Sequence, residues 1–263
     1  LKKEYPSLSL IQTKENLKAG GARNEGLKSA KGDYIWFIDA DDYVVPNCFS
    51  KVLSFLEHEN LDFVHFDFIE DREGKYFEHS TNHNLSTEIM DGKSLFFDKR
   101  FVWFEDLVVV WRKVYSRKFL LDNNLFFIPK LMYEDNDFVF RLFAAAQHVK
   151  HVSGCFIVYS ITPNSITRRE SSVNRVVDYL EICEALKNVY DAFSVSSSKY
   201  LFLPRIKQFI NYQFHAAIEE YHGLLGKDDK FKAQCNIRKF TDWNMCKFIS
   251  HKLFLRIKLG LEF

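Results

Sequence analysis

Between residues 7 and about 70 the spacing of apolar positions switches repeatedly between the two-residue alternation of a strand and the 3.6-residue period of a helix. "SLSLIQT" (7–13) reads as a strand, "GARNEGLKSA" (21–30) as a helix and "YIWFIDA" (34–40) as a strand. "PNCFSKVLSFLEHEN" (46–60) follows as a helix, with Pro46 at its first turn and Val52, Leu53, Phe55 and Leu56 on its apolar side, and "FVHFDFI" (63–69) as a strand. Short connections between alternating elements predict an α/β unit with parallel strands.

The next stretch, 71–90, is polar and aperiodic and reads as a loop or weak hairpin that would flank a site. "DGKSLFFDKRF" (91–101) is expected to be helical, "LVVVWRKVYSRKFLLDNN" (107–124) to be helical in its second half, "EDNDFVFRLFAAAQ" (134–147) to be a helix and "HVSGCFIVYS" (151–160) a strand. From about residue 173 long amphipathic helices take over, "VNRVVDYLEICEALKNVYDAF" and "YLFLPRIKQFINYQFHAAIEEYHGLL", with "SVSSSK" as connector. The pattern divides the chain into an α/β domain over 1–170 and a helical region over 171–263.

The 36 Lys and Arg against 35 Asp and Glu give no whole-molecule case for a nucleic-acid partner. Charge has to be read locally. Nine Lys and Arg stand against four acids between residues 227 and 263, making this the one basic region. Within it Phe248, Leu253, Leu255, Ile257 and Leu259 alternate with cations, as in an interfacial helix or a docked helix with a solvated basic face. Five widely spaced cysteines without a CxxC pair point to a reducing compartment, and no apolar run reaches the ~18 residues of a spanning helix. The expected location is the cytoplasm, with peripheral contact at the inner face of the membrane as the open alternative.

The densest charge lies in "YIWFIDADDY", where Asp39, Asp41 and Asp42 follow a strand. The carboxyl end of a strand is where open α/β sheets place ligands. Two carboxylates about 4 Å apart in a partly shielded site repel by roughly 4 kcal/mol, so such a pair calls for a cation. Hard oxygen ligands favour magnesium, manganese or calcium. An EF-hand is excluded, because Tyr43, Val44 and Ser50 stand where that loop needs an Asp or Asn, a Gly and a Glu. A solvated turn capping the following helix accounts equally well for Asp42.

The longer string "GGARNEGLKSAKGDYIWFIDADD" resembles the core signature of family 2 glycosyltransferases, the inverting nucleotide-sugar enzymes with the GT-A fold. Ala22, Arg23, Asn24, Gly26, Leu27, Lys31, Gly32, Asp33, Tyr34 and Asp39 to Asp42 match that pattern. "VVWRKVYSRKFLLDNNLFFIPKLMYEDNDFVFRLF" is similar to the acceptor-side segment of the family, with a Trp-x-Lys-x-Tyr run ahead of an acidic pair opening a helix, and "YSITPNSIT" resembles the segment closing the catalytic domain. The resemblance covers about residues 7–170.

It implies a mixed Rossmann-like sheet and a metal-dependent enzyme that moves a sugar, inverting its anomeric carbon. The donor is a nucleotide-sugar, with a UDP-sugar preferred. The acceptor is a hydroxyl of a glycan or a lipid-linked molecule, in bacterial surface polysaccharide synthesis. By this resemblance Asp41 binds Mn2+ or Mg2+ on the donor diphosphate, and Asp39 contacts the ribose or the metal shell. Arg23 assists at the phosphates, and Asp135, supported by Glu134, is the general base. Without the resemblance, Glu134 and Asp135 read as first-turn acids favoured by the helix dipole. The family pattern also has a strand-helix-strand unit before residue 7, so the chain is expected to be amino-terminally truncated. A non-catalytic scaffold of glycosyltransferase descent is the alternative function. A nucleotidyltransferase would show a Gly-rich phosphate loop.

Trp103, Phe104, Trp111 and Tyr133 are candidates for stacking on sugar. Arg168 and Arg169 stand in for a basic residue usual in the closing segment. His79 with His83, and His148 with His151, have helical spacing but no matched ligands, and read as loop or surface histidines.

Overall fold

The computed structural model describes residues 5, 7–80, 88–98, 105–161, 170–194 and 199–260. Six strands form one mixed sheet: β1 (Tyr34–Trp36), β2 (Tyr43–Val44), β3 (Phe63–Arg72), β4 (Lys75–His79), β5 (Lys113–Ser116) and β6 (Val149–Ser160). Their order is β1-β5-β3-β6-β2, with β4 folded back on β3. β1 and β3 run in the same direction, as the α/β pattern requires, but they do not touch. β5 lies between them, antiparallel to both, and β3 and β6 make the parallel pair. In the β3–β4 hairpin the turn is Glu73–Gly74, with Gly74 at φ +83°, where a side chain is disfavoured.

Helices α1 (Lys18–Ser29), α2 (Phe49–Glu59), α3 (Gly92–Phe96), α4 (Glu105–Val108), α5 (Arg117–Asp122) and α6 (Asp135–Ala145) connect and flank the strands. Residues 7–13, expected as a strand, have no ladder partner and no strand assignment. Alternation alone does not make a strand without a neighbouring edge to pair with. The helix expected from Pro46 begins at Phe49, after Cys48.

Alternate residues of β3 serve opposite faces of the sheet. Phe63 packs edge-on to Phe143 of α6 at 5.3 Å, whereas Val64 and Phe66 join Val52 and Leu56 of α2 in a second apolar cluster. Several polar side chains are enclosed with them. Lys113 is fully buried and donates to the carbonyls of Leu107 and Val109 at 2.6 and 2.8 Å, and the Tyr115 hydroxyl donates to Val110 at 2.8 Å. Burial drives the Lys113 ammonium well below its ordinary pKa and the Tyr115 phenol well above its own. His151, read above as a surface residue, is fully buried, its Nδ1 2.9 Å from Nδ1 of His65 on the neighbouring strand. His148 is exposed as expected.

The remaining helices are α7 (Val173–Ser194), α8 (Lys199–Gly223), α9 (Lys227–Phe240) and α10 (His251–Leu259). α7 and α8 pack along each other, and their apolar faces continue the core of the sheet region. Phe202 meets Phe96 at 5.2 Å, and Phe209 meets Phe140 at 6.0 Å. α10 docks through Phe254 and Ile257 and leaves Lys252, Leu255, Arg256 and Leu259 on the outside, an i, i+3, i+4, i+7 stripe. Among the described residues no helix is long and apolar enough to cross a membrane.

Candidate active site

Four of the five residues singled out in the sequence meet in one place. α1 brings Arg23, the loop after β1 brings Asp39, and the start of α6 brings Glu134 and Asp135. Arg23 Nη2 donates to Asp39 Oδ1 at 2.6 Å, and Arg23 Nη1 is paired with Glu134 Oε1. The guanidinium therefore bridges the loop carrying the aspartates to the helix carrying the acidic pair, 5.5 Å above the ring of Phe127. Its pKa is raised: burial works against the charge, and Asp39, then Glu134, outweigh it.

This arrangement rests on a close approach that needs glycine. A Cβ on Gly20 would lie 2.8 Å from Cγ of Glu134 and 3.0 Å from Cβ of Phe127, so α1 settles against the acidic pair because residue 20 has no side chain. Asn24, one turn on, is buried and acts as a strand edge: its Nδ2 donates to the Phe127 carbonyl at 2.8 Å, and its Oδ1 accepts from the Phe127 amide at 2.9 Å. Arg141 donates to the adjacent Phe126 carbonyl at 2.8 Å. The loop leading into α6 is thus fastened from both sides. Asn24 received no role in the sequence reading, yet a polar residue three positions from both Gly21 and Leu27, on the buried stripe of α1, was a visible signal.

Asp135 opens α6. Its carboxyl is pushed up to about 7, first by burial and then by the neighbouring charge of Glu134, with Arg23 pulling the other way. The residue just ahead, Tyr133, has φ +56°, a conformation a bulky side chain rarely adopts. Strain of this kind gathers where a site fixes a backbone against its preference.

In the aspartate loop the Asp42 amide donates to the Asp39 carbonyl at 3.1 Å, closing a turn. Asp42 does not cap α2. Its Oδ1 accepts from the Ser160 amide at 2.9 Å, tying the loop to the end of β6, and its Oδ2 is buried without a hydrogen-bond partner among the described residues. Burial, then the charges of Asp39 and Asp41, lift this carboxyl to about 6 against the pull of the Ser160 amide. No cluster of three or more His, Cys, Asp or Glu able to hold a metal occurs among the described residues. The donor set fits a magnesium-like ion that takes one or two carboxylates and keeps its other positions for water and phosphate oxygens, and the unpartnered Asp42 oxygen is suited to such a cation.

Trp111 is not a sugar platform. It is buried, stacked on Tyr159 at 5.3 Å and edge-on to Phe68 at 5.0 Å. Tyr133 is half-buried and stacked on Tyr179. Trp103, Phe104, His83, Arg168 and Arg169 lie outside the described residues.

Residues 1–126 match the family described as Glycosyl transferase family 2. EpsJ of Bacillus subtilis (strain 168), an uncharacterized glycosyltransferase, is 31% identical over 152 residues, which are 56% of this chain and 43% of EpsJ. GgaB of the same organism, a minor teichoic acid biosynthesis protein, is 42% identical over 91 residues, 34% of this chain and 10% of GgaB. The chain thus spans less than half the length of either relative. The structure of S. aureus TarS 1-349, determined with UDP-GlcNAc, superposes with a TM-score of 0.64 at 14% identity, covering 98% of this chain and 73% of that one. The architecture is the GT-A glycosyltransferase fold. Residues 1–126 are thus similar to the family 2 glycosyltransferases.

Proposed function

We propose that this chain transfers a sugar from a UDP-linked donor to a hydroxyl of a glycan or lipid-linked acceptor, inverting the anomeric carbon, in the assembly of a bacterial envelope polysaccharide. The observation that carries the reading is the placement of Asp135, with its raised pKa, beside the Arg23 bridge to the aspartate loop. A carboxylate with pKa about 7 is half-ionised at neutral pH and basic enough to take a proton as an acceptor oxygen attacks. The new bond forms between that oxygen and the anomeric carbon while the bond to the diphosphate breaks, and the diphosphate leaves with the electron pair. One base suffices for a single displacement. Arg23, engaged by Asp39 and Glu134, holds the base and the aspartate loop at a fixed spacing. Asp41 and Asp39, with Asp42 beside them, would hold a divalent cation, which stabilises charge on a departing phosphate oxygen.

The donor class is supported by TarS, whose structure holds UDP-GlcNAc, and the setting by GgaB, named for teichoic acid biosynthesis. The metal is tested by calorimetric titration of manganese with and without UDP. Wild type is expected to bind UDP in a manganese-dependent way and Asp41→Ala to lose that dependence. Absence of UDP binding at any manganese concentration would move the reading to a non-catalytic scaffold.

The outer stripe of α10 supports peripheral contact with an anionic membrane. Leu255 and Leu259 are 40% and 71% exposed and alternate with Lys252 and Arg256. Basic residues near an anionic surface contribute about 1 kcal/mol each. Co-sedimentation with phosphatidylglycerol vesicles is expected to fall at least fivefold in Leu255→Ser/Leu259→Ser and to weaken in high salt. Equal sedimentation of variant and wild type removes the membrane from the proposal.

A further inference from the structure

Among the described residues, the helical region reaches the site through one face of α7. Arg175, Asp178 and Tyr179 are spaced i, i+3, i+4 and so project on one side. Tyr179 stacks on Tyr133 with ring centroids 4.9 Å apart and planes 16° from parallel. Asp178 Oδ1 accepts from Lys18 Nζ at 2.7 Å, at the first residue of α1. Arg175 pairs with Glu220 of α8 at 2.6 Å. Lys18 and Tyr133, the two residues gripped by Asp178 and Tyr179, both have left-handed backbones, at φ +54° and +56°. Each stands at the entrance to a helix that carries part of the site: α1 with Arg23, and α6 with Asp135. Consecutive residues of α7 thus hold the two strained entrances from which the ion bridge is built.

We infer that Tyr179 and Asp178 are positioning residues, through which the helical region holds the segment Tyr133–Asp135 and the start of α1 in their working geometry. The inference deepens the transferase reading, since the segment held is the one assigned the base. A ring in the left-handed region returns to extended or helical backbone unless something holds it, and Tyr179 supplies the flat partner. The Tyr133 phenol is raised in pKa by burial and then by Tyr179, with Arg175 opposing, which places all three groups in one enclosed cluster. When the stack is removed, Tyr133 relaxes, the acidic pair gains water, and Asp135 moves down towards an ordinary carboxylate.

The test compares Tyr179→Ala, Tyr179→Phe and Asp178→Asn with wild type in the full chain. Hydrogen–deuterium exchange read over residues 131–138 needs no activity. Tyr179→Ala is expected to speed exchange there at least tenfold while β3 and β6 stay protected, and Tyr179→Phe, which keeps the stack, to remain near wild type. In transfer assays Tyr179→Ala should lower kcat at least tenfold, leave manganese-dependent UDP affinity within twofold, and shift the acidic limb of the pH–rate profile down by at least half a unit, with Tyr179→Phe restoring all three. Unchanged exchange at 131–138 in Tyr179→Ala overturns the inference. So does a Tyr179→Phe variant as defective as Tyr179→Ala. Should Tyr179→Ala fail to fold, Asp178→Asn decides by exchange across residues 17–24, which must rise. Altered exchange with no transfer by wild type to any acceptor would leave the brace standing and sink the transferase reading instead.

Discussion

Asp135→Asn is expected to lose about 10²- to 10⁴-fold in kcat and at the same time to become more stable at neutral pH. The two effects share one cause. Burial and the charge of Glu134 lift the folded-state pKa of Asp135 to about 7, whereas an unfolded aspartate ionises near 3.9. Between those values the folded chain holds a proton that the unfolded chain has released, so the stability of wild type falls as pH rises from about 4 to about 7 and levels off above that. The difference corresponds to as much as about 4 kcal/mol at pH 8. Asparagine keeps the shape and removes the ionisation. Its melting temperature is therefore expected to exceed that of wild type by several degrees at pH 8 and to match it near pH 4. The same pKa places the acidic limb of the wild-type kcat/KM profile near 7. Calorimetric melts at pH 4, 6 and 8, set beside transfer rates, check both halves. A variant equally active, or less stable at pH 8 than at pH 4 relative to wild type, would show that Asp135 is an ordinary first-turn acid.

Such an exchange of stability for reactivity recurs around the site. Glu134 needs a glycine opposite it, Tyr133 and Lys18 adopt disfavoured backbones, and Asp42 keeps a buried oxygen without a hydrogen-bond partner among the described residues. None of these is needed to close the core, which Phe63, Phe138, Phe140 and Phe143 already fill. All of them gather around the residues proposed to carry the chemistry, and a fold tolerates such features where chemistry depends on them.

Much of this was legible in the chain. α1, α2, α6, β3 and β6 follow from local period, and the aspartate loop and acidic pair from short motifs whose chemistry is carried by a few residues. What escaped is non-local. The insertion of β5 between β1 and β3 depends on a strand some forty residues beyond β3 in the sequence, and nothing in "KVYS" announces where it will pair. Strand-like alternation over 7–13 led to a strand that lacks a partner edge. His151 was read as a loop or surface residue and Lys113 is of a type seldom buried, yet burial is open to both because a second imidazole and two carbonyls take up their hydrogen bonds. The bridge from Asp39 to Glu134 joins positions 95 apart in sequence through a third residue. Arg23 was read there as a phosphate ligand, since a motif shows the charge of a residue and not the carboxylates it will meet.

That bridge gives the second large effect. Arg23→Met keeps the length and apolar stem of the side chain and removes the cation between Asp39 and Glu134. Breaking an enclosed ion pair from one side costs about 3–5 kcal/mol, and the lower end applies because Asp39 is 38% exposed and partly screened by water. Asp135 also loses the neighbouring positive charge that lowers its pKa, so its folded value rises above about 7. For a carboxyl raised on folding, the stability deficit is full above the folded pKa and shrinks as pH falls through it. Arg23→Met should therefore melt well below wild type at pH 8 and recover part of the gap at pH 5. Its rate profile should move the opposite way from that of Tyr179→Ala, with the acidic limb shifted to higher pH. Arg23→Lys keeps the charge but contacts one carboxylate at a time, and is expected to fall between the two in stability. If Arg23 instead served the donor phosphates alone, Arg23→Met would weaken UDP binding while leaving both the melting curve and the pH limb in place.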